Sequence, residues 1–390
     1  MTPSVRQQTE RLQRWFRQDA IPLWLRCGID PVTGANVERL LADGSPDWAA
    51  NVRVRVQARQ AFYYAAIASL GWCEQGEQVS IGITDFVERF AAHPEAGGGY
   101  THLLNPDWQV SDSKQDLYDH AFFLLAFAWQ YRAFGNKQAL ASAHRLMAHL
   151  DKHLGAMNGG WLEGDYAYTH RRQNPHMHLF EAFMALYEAS GEAVWLARAG
   201  QMFTLFQTRF YHADAEVLLE FFAEDWTPSP GEPGTLVEPG HMLEWVWLLD
   251  WYSRLSGQPV RQYTGALYRK ALAIGVIAET GLVYDVVDIA GEVVEPTKRC
   301  WGLTEMIKAS LVMAREGEPG AEERAAAGVD TLFSYYLNAQ VVGSYVDRLG
   351  ADDAVIEANA PASSLYHLLV LAQELMRYCQ PASPPTDMES

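Results

Sequence analysis

Hydrophobic positions recur along the chain in blocks of roughly four helical turns, and most blocks stop at a glycine. "QAFYYAAIASLG" ends at Gly71, "DHAFFLLAFAWQYRAFG" at Gly135, "HLFEAFMALYEASG" at Gly191, "HMLEWVWLLDWYSRLSG" at Gly257 and "LTEMIKASLVMAREG" at Gly317. Glycine most easily takes the left-handed turn that closes a helix, so each block reads as a helix with its stop signal attached. The glycines stand 64, 56, 66 and 60 residues apart, and a sixth block from Ser363, "SSLYHLLVLAQELMRY", lacks only its glycine. Other helical patterns, such as "KQALASAHRLMAHLDKHLG" and "AVWLARAGQMFTLFQTRFY", fall between the blocks. The repeating unit is therefore a pair of helices, and six pairs are implied.

The blocks holding Phe122, Trp129, Phe183, Trp245 and Trp247 are apolar on nearly every face, as helices buried on all sides must be. With more polar helices between them, they predict an all-α fold, a closed (α/α)6 barrel rather than an open solenoid. One catalytic domain is expected over residues 1–380, followed by a flexible tail at 381–390, where Pro, Ser and acidic residues gather. "VSIGITDF", "AEVLLEFFAED" and "TGLVYDVVDIAGEVVE" read as strand-like hairpins in loops at one rim. Such a ring encloses a central funnel, and the starts of its inner helices are where a site is expected.

Charge and cysteine content change the picture by exclusion. With 48 acidic against 30 basic residues, the net charge of −18 opposes nucleic-acid backbones and anionic lipid surfaces. Cys27, Cys73, Cys300 and Cys379 form no CxxC pair, and no run has the length and apolarity of a signal peptide or membrane span. The expected setting is cytoplasmic, the expected partner a small molecule, and the expected assembly a monomer or homodimer.

Polar residues gather where the inner helices begin. His178 and Glu181 form an HxxE pair in one repeat, and His241 and Glu244 form another; at this spacing each histidine lies over its glutamate on one helix face. The carboxylate would then fix the tautomer and leave the other ring nitrogen basic. Trp301 and Glu305, Tyr366 and His367, Arg55 and Arg59, and Tyr118 and His120 occupy the corresponding places in other repeats. If the ring closes, Arg59, Tyr118, His178, His241, Glu244, Trp301, Glu305 and His367 converge. His176 points away from His178 once the helix begins and is expected at the rim or as a cap, while Arg55 is expected in an outer salt bridge. Isolated histidines at helix starts are more often caps than catalysts, so His120 is expected to be structural. No HExxH, GxSxG or phosphate-binding glycine loop occurs, so neither a catalytic metal nor a cofactor is expected. Glu163, Asp165 and Asp225 leave a glycoside hydrolase of paired carboxylates as a lesser alternative.

Four segments, "NPHMHLFEAFMALYEASG", "EPGHMLEWVWLL", "KRCWGLTEMIKA" and "GSYVDRLGADDAVIEANAPASSLYHL", resemble landmarks of the N-acylglucosamine 2-epimerase superfamily, which includes mannose isomerases and cellobiose 2-epimerases. The resemblance runs from "RVQARQ" to the last helix. It implies metal-independent proton transfer on a sugar, with His241 and His367 as acid and base and His178 opening the ring or holding sugar oxygens. It further implies Glu244 and Glu305 as positioning groups, and Arg59, Tyr118, Asn174, Met177 and Trp301 as substrate contacts. The segment ending "PASSLYHL" is most like the bacterial mannose isomerases, so the expected reaction joins an aldose to a ketose, mannose and fructose first. The alternative is 2-epimerisation of mannose or glucose, of a β-1,4-disaccharide or of an N-acylhexosamine.

Overall fold

The structure, a computed structural model, describes residues 4–94 and 99–380, so the tail expected at 381–390 lies outside the described residues. The chain begins with α1 (Val5–Arg14), which runs through a wide π-helical turn into α2 (Ile21–Cys27). Five helix pairs follow: α3 (Val54–Ser69) with α4 (Gly76–Phe90), α5 (Leu117–Phe134) with α6 (Lys137–His153), α7 (Gln173–Ser190) with α8 (Ala193–Leu205), α9 (Pro239–Ser256) with α10 (Arg261–Gly275), and α11 (Cys300–Arg315) with α12 (Ala321–Tyr335). The last helix, α13 (Leu365–Cys379), packs against α3 and closes the ring; its outer partner is α1, from the other end of the chain. The first member of each pair, with α13, forms the inner ring, and these helices are buried on almost all sides as their composition requires. Gly135, Gly191 and Gly257 end α5, α7 and α9 in the left-handed conformation expected of them.

The rim is stitched in a regular way that aims the site. Two residues ahead of each of five inner helices form a short strand paired with the loop leading to the next inner helix: Val52–Arg53 with Leu103–Leu104, Arg171–Arg172 with Phe221–Phe222, Leu236–Val237 with Val287 and Asp288, and Lys298–Arg299 with Arg348–Leu349. Ala360–Pro361 pairs back to Arg39–Leu40 and completes the circle, while a single bridge, Asp116 to Gly164, serves α5. Each inner helix start is thus pinned by its neighbour.

Two strand expectations change. "VSIGITDF" lies inside α4, because Ile83, Phe86 and Val87 bury one face of a longer helical stretch; the alternation over eight residues was too short a window. "AEVLLEFFAED" is not one hairpin: Val217–Leu218 pairs with Tyr211–His212, whereas Phe221–Phe222 pairs with the strand before α7. "TGLVYDVVDIAGEVVE" does form the hairpin Val286–Asp288 with Val293–Glu295. Among the described residues no helix is long and apolar enough to cross a membrane.

Candidate active site

The first turns of the inner helices enclose a cavity of about 220 Å3 on the ring axis. Its wall includes Arg59 from α3, Tyr118 from α5, Asn174 and His178 from α7, His241 and Glu244 from α9, Trp301 from α11 and His367 from α13. Residues spread over most of the sequence meet because every repeat contributes its helix start. Trp301 stands between two of the histidines, its ring centroid 5.0 Å from that of His241 and 5.6 Å from that of His367, tilted 35° to each. A Cβ on Gly240 would fall 2.5 Å from the Trp301 ring, so the glycine before His241 is what admits the indole.

His367 Nδ1 donates to Glu305 Oε1 at 2.9 Å, leaving Nε2 as the basic nitrogen. Burial, then Arg59 and Lys308, push this imidazole well below its ordinary pKa, so it is neutral at pH 7. Glu305 is fully buried beneath it, off the cavity wall, with Lys308 Nζ 2.6 Å from its other oxygen in a charge contact that lacks hydrogen-bond alignment. Burial raises the Glu305 carboxyl and Lys308 opposes the rise.

His241 has the opposite electrostatics. Its Nδ1 donates to Glu220 Oε2 at 3.0 Å, with Glu238 Oε2 3.4 Å away. Burial alone would lower its pKa, but Glu220 and then Glu238 outweigh it and hold the imidazolium up to about 10. The expected His241–Glu244 pair does not form. His241 lies in the first turn of α9, and helical side chains lean toward the N-terminus, so it meets the preceding loop rather than the next turn. Both oxygens of Glu244 are buried without a partner, and burial beside Glu305 raises its carboxyl well above the usual range. Glu220, which also accepts from Gln173 Nε2 at 3.0 Å, carried no signal in the sequence: it sits 21 residues before His241 in a rim loop. Replacing it should matter to protonation more than to shape. The alkaline limb of kcat/KM in Glu220→Gln is expected to move about 1–3 pH units toward acid, because an opposite charge near an ionised group is worth that much. An unmoved limb in a pH–rate profile would show that Glu220 does not hold the His241 proton.

The first HxxE pair does form. His178 Nδ1 donates to Glu181 Oε2 at 3.1 Å, and Tyr366 Oη donates to the same oxygen at 2.5 Å. Burial and then Arg59 keep His178 well below its ordinary pKa, and burial pushes Glu181 up to about 7. Arg59 donates to Tyr118 Oη at 2.6 Å and to the Ser363 carbonyl at 3.2 Å, its guanidinium 4.1 Å from the Phe122 ring centroid. Among the described residues no carboxylate lies within ion-pair reach of it, and its Nε is unpartnered. Asn174 Oδ1 is likewise buried and unpartnered.

Several candidates take other roles. Met177 is fully buried in the apolar core and does not reach the cavity. His176 is a core residue rather than a rim or cap residue: Nε2 accepts from the Trp161 amide at 3.1 Å and Nδ1 donates to the Arg172 carbonyl at 3.2 Å. His120 similarly ties the Tyr100 amide to the Asp116 carbonyl. Arg55 is salt-bridged to Asp119 at 3.0 Å as expected, but on the cavity wall rather than outside. Glu163 binds Arg172 at 2.6 Å, Asp165 accepts from Gln115, and exposed Asp225 turns onto Thr227; none lines the cavity, which removes the carboxylate pair of the hydrolase alternative. Two groups, Glu220 with Glu238 and His241, and Glu244 with Glu305 and His367, have donor atoms close enough to hold a cation. In each the histidine offers an N–H to a carboxylate, and Lys308 or the imidazolium supplies positive charge beside it.

A buried imidazolium and a buried neutral imidazole thus face one small polar cavity in this (α/α)6 barrel, an arrangement able to give a proton at one side and take one at the other. Residues 36–371 match the family model described as N-acylglucosamine 2-epimerase, and the chain belongs to that family. It is 33% identical over 383 residues to the mannose-6-phosphate isomerase of Rhizobium meliloti strain 1021, covering 96% of this chain and 98% of the relative. To the D-mannose isomerase of Thermobifida fusca it is 29% identical over 66% and 67% of the two chains. The fold is similar to that of the cellobiose 2-epimerase of Bacillus thermoamylovorans B4167, with a TM-score of 0.84 at 17% identity, covering 95% of this chain and 99% of that one. The protein is an enzyme of the sugar isomerase and epimerase class.

Proposed function

We propose that the protein interconverts an aldose and a ketose, with mannose and fructose as the prime pair. The observation that carries the reading is the opposed charge state of His367 and His241 on either side of Trp301. The proton on C2 of an open-chain aldose is weakly acidic, so its removal needs a neutral base and a donor at the carbonyl oxygen. His367 Nε2 takes the C2 proton while the His241 imidazolium protonates O1, giving a cis-enediol. His367 then returns its proton to C1, and the O2 proton passes back to His241 as C2 becomes the carbonyl, so no proton is gained or lost. Arg59, with no carboxylate in ion-pair reach among the described residues, stabilises negative charge developing on the oxygens. His178, held by Glu181, opens the sugar ring, and Asn174, Tyr118 and Trp301 hold the hydroxyls and ring face. Glu305 positions His367, and Glu244, unpaired and raised, donates to a hydroxyl rather than orienting His241. No metal enters this scheme, and a cytoplasmic setting fits four cysteines that remain free.

Incubation with mannose is expected to yield fructose, identified by chromatography. Glucose as the sole product would replace isomerisation with 2-epimerisation. A phosphorylated hexose is the second reading, favoured by Arg53, Arg55 and Arg299 on the cavity wall and by the name of the Rhizobium relative. Arg53 and Arg55 are already held by Glu38 and Asp119, and Arg299 has Asp347 at 3.5 Å, so the free sugar is expected to be the better substrate. A kcat/KM for mannose 6-phosphate above that for mannose would reverse this ranking.

A further inference from the structure

The ring axis carries a second, larger cavity at the opposite end of the barrel, about 510 Å3 in volume. It lies among the C-terminal halves of the inner helices, whereas the catalytic cavity lies among their first turns. Its size falls within the range of about 300–1,000 Å3 usual for small-molecule sites. Nothing in the acid–base scheme uses this space.

Three tryptophans, Trp129, Trp247 and Trp251, line it. Trp247 and Trp251 are only 4% and 7% exposed, and the Nε1 of each is buried without a hydrogen-bond partner. Two ion pairs stand at the wall: Arg132 with Glu188 at 3.2 Å, and Arg377 with Glu374 at 3.5 Å. Glu181, which holds His178 on its other side, is also part of the wall, so the bonded His178–Glu181 pair stands between the two cavities.

This wall selects a ligand class by elimination. Arg132 and Arg377 disfavour an organic cation in spite of the aromatic faces, and Glu181, Glu188 and Glu374 disfavour an anion. Indole rings beside groups that both donate and accept suit a neutral, hydroxyl-rich ring compound, whose C–H surface packs against the indoles while its hydroxyls meet the ion pairs. We propose that the far cavity is a second binding site, separate from the catalytic one, for a neutral saccharide. The proposal stands independently of the reaction assigned above, because it rests on binding and not on turnover.

The test uses methyl β-cellobioside, which is neutral and blocked at its anomeric carbon, with binding read from tryptophan fluorescence and titration calorimetry on the full-length protein. Saturable binding is expected in the wild type and in Trp301→Phe, which alters only the catalytic cavity. Affinity is expected to fall at least tenfold in Trp251→Ala and in the double variant Arg132→Ala/Glu188→Ala. The double variant changes partly exposed side chains, so it reports on the site even if Trp251→Ala fails to fold. No saturable binding in the wild type overturns the proposal. Binding lost in Trp301→Phe, or binding retained in the double variant, also overturns it by placing the sugar elsewhere.

Discussion

Turnover by the His367→Ala variant is expected to fall by about 10²–10⁴-fold, the usual contribution of a positioned general base, with KM little changed. His367 is 6% exposed, packs edge-on against Tyr366 and is held at Nδ1 by Glu305, so it is fixed in place without being part of the apolar core. Far-UV circular dichroism and the melting temperature should therefore change far less than the rate. The pH profile of the wild type supplies a second reading. The base must be neutral, and since burial, Arg59 and Lys308 lower its pKa, activity rises through an acid limb well below neutrality. The acid must be protonated, and His241 keeps its proton up to about pH 10, so the fall comes only on the far alkaline side. A broad plateau between the two limbs is expected, and the acid limb should disappear with His367. An effect confined to KM, with kcat intact, would reduce His367 to a binding group.

The largest effect on stability is expected at Lys308. Its ammonium is fully buried, 2.6 Å from Glu305 and 4.0 Å from the centroid of the Trp247 ring. Removing one member of a buried ion pair leaves the other charge uncompensated, at a cost of about 3–5 kcal/mol. Lys308→Met should show this loss in denaturant unfolding, and Glu305→Gln combined with Lys308→Met should recover much of it because no bare carboxylate remains. The pH dependence has a definite sign. Burial already raises the Glu305 carboxyl, and without Lys308 it rises further, so the folded state binds a proton more tightly than the unfolded chain. Stability of Lys308→Met therefore falls as pH rises, and its deficit against wild type should be smaller at pH 5 than at pH 8. A deficit that does not vary with pH would mean that lost packing on Trp247, rather than the carboxylate, is responsible.

These two residues differ in how far they could be read from the chain. His367 belongs to a repeat position, the start of an inner helix, and recurrence singled it out along with His178 and His241. Lys308 lies in an apolar helix three residues after Glu305, a spacing that is informative only once both are known to be buried. The pairing of histidines with carboxylates was legible in one case and misleading in another. His178 meets Glu181 within its own helix, but His241, in the first turn of α9, reaches back to Glu220. The family resemblance implied Met177 as a substrate contact, yet on α7 it is fully buried in the apolar core. The strand-like reading of "VSIGITDF" failed for a related reason, since a short alternation cannot be told from one face of a longer helix.

What the sequence determined by itself was the helical repeat and the concentration of polar chemistry at one end of each inner helix. Both are local properties: a 3.6-residue period, an apolar surround and a glycine stop can be read without knowing what lies across the fold. Tertiary structure decided the charge state of each histidine and the neighbours that set it. Burial and the approach of Glu220 and Glu238 from the loop before α9 hold one imidazole charged, and burial with Arg59 of α3 and Lys308 of α11 keeps the other neutral. The Arg59 and Lys308 terms depend on distances through a low-dielectric interior, which exist only after α13 has packed between α3 and α11 to close the ring.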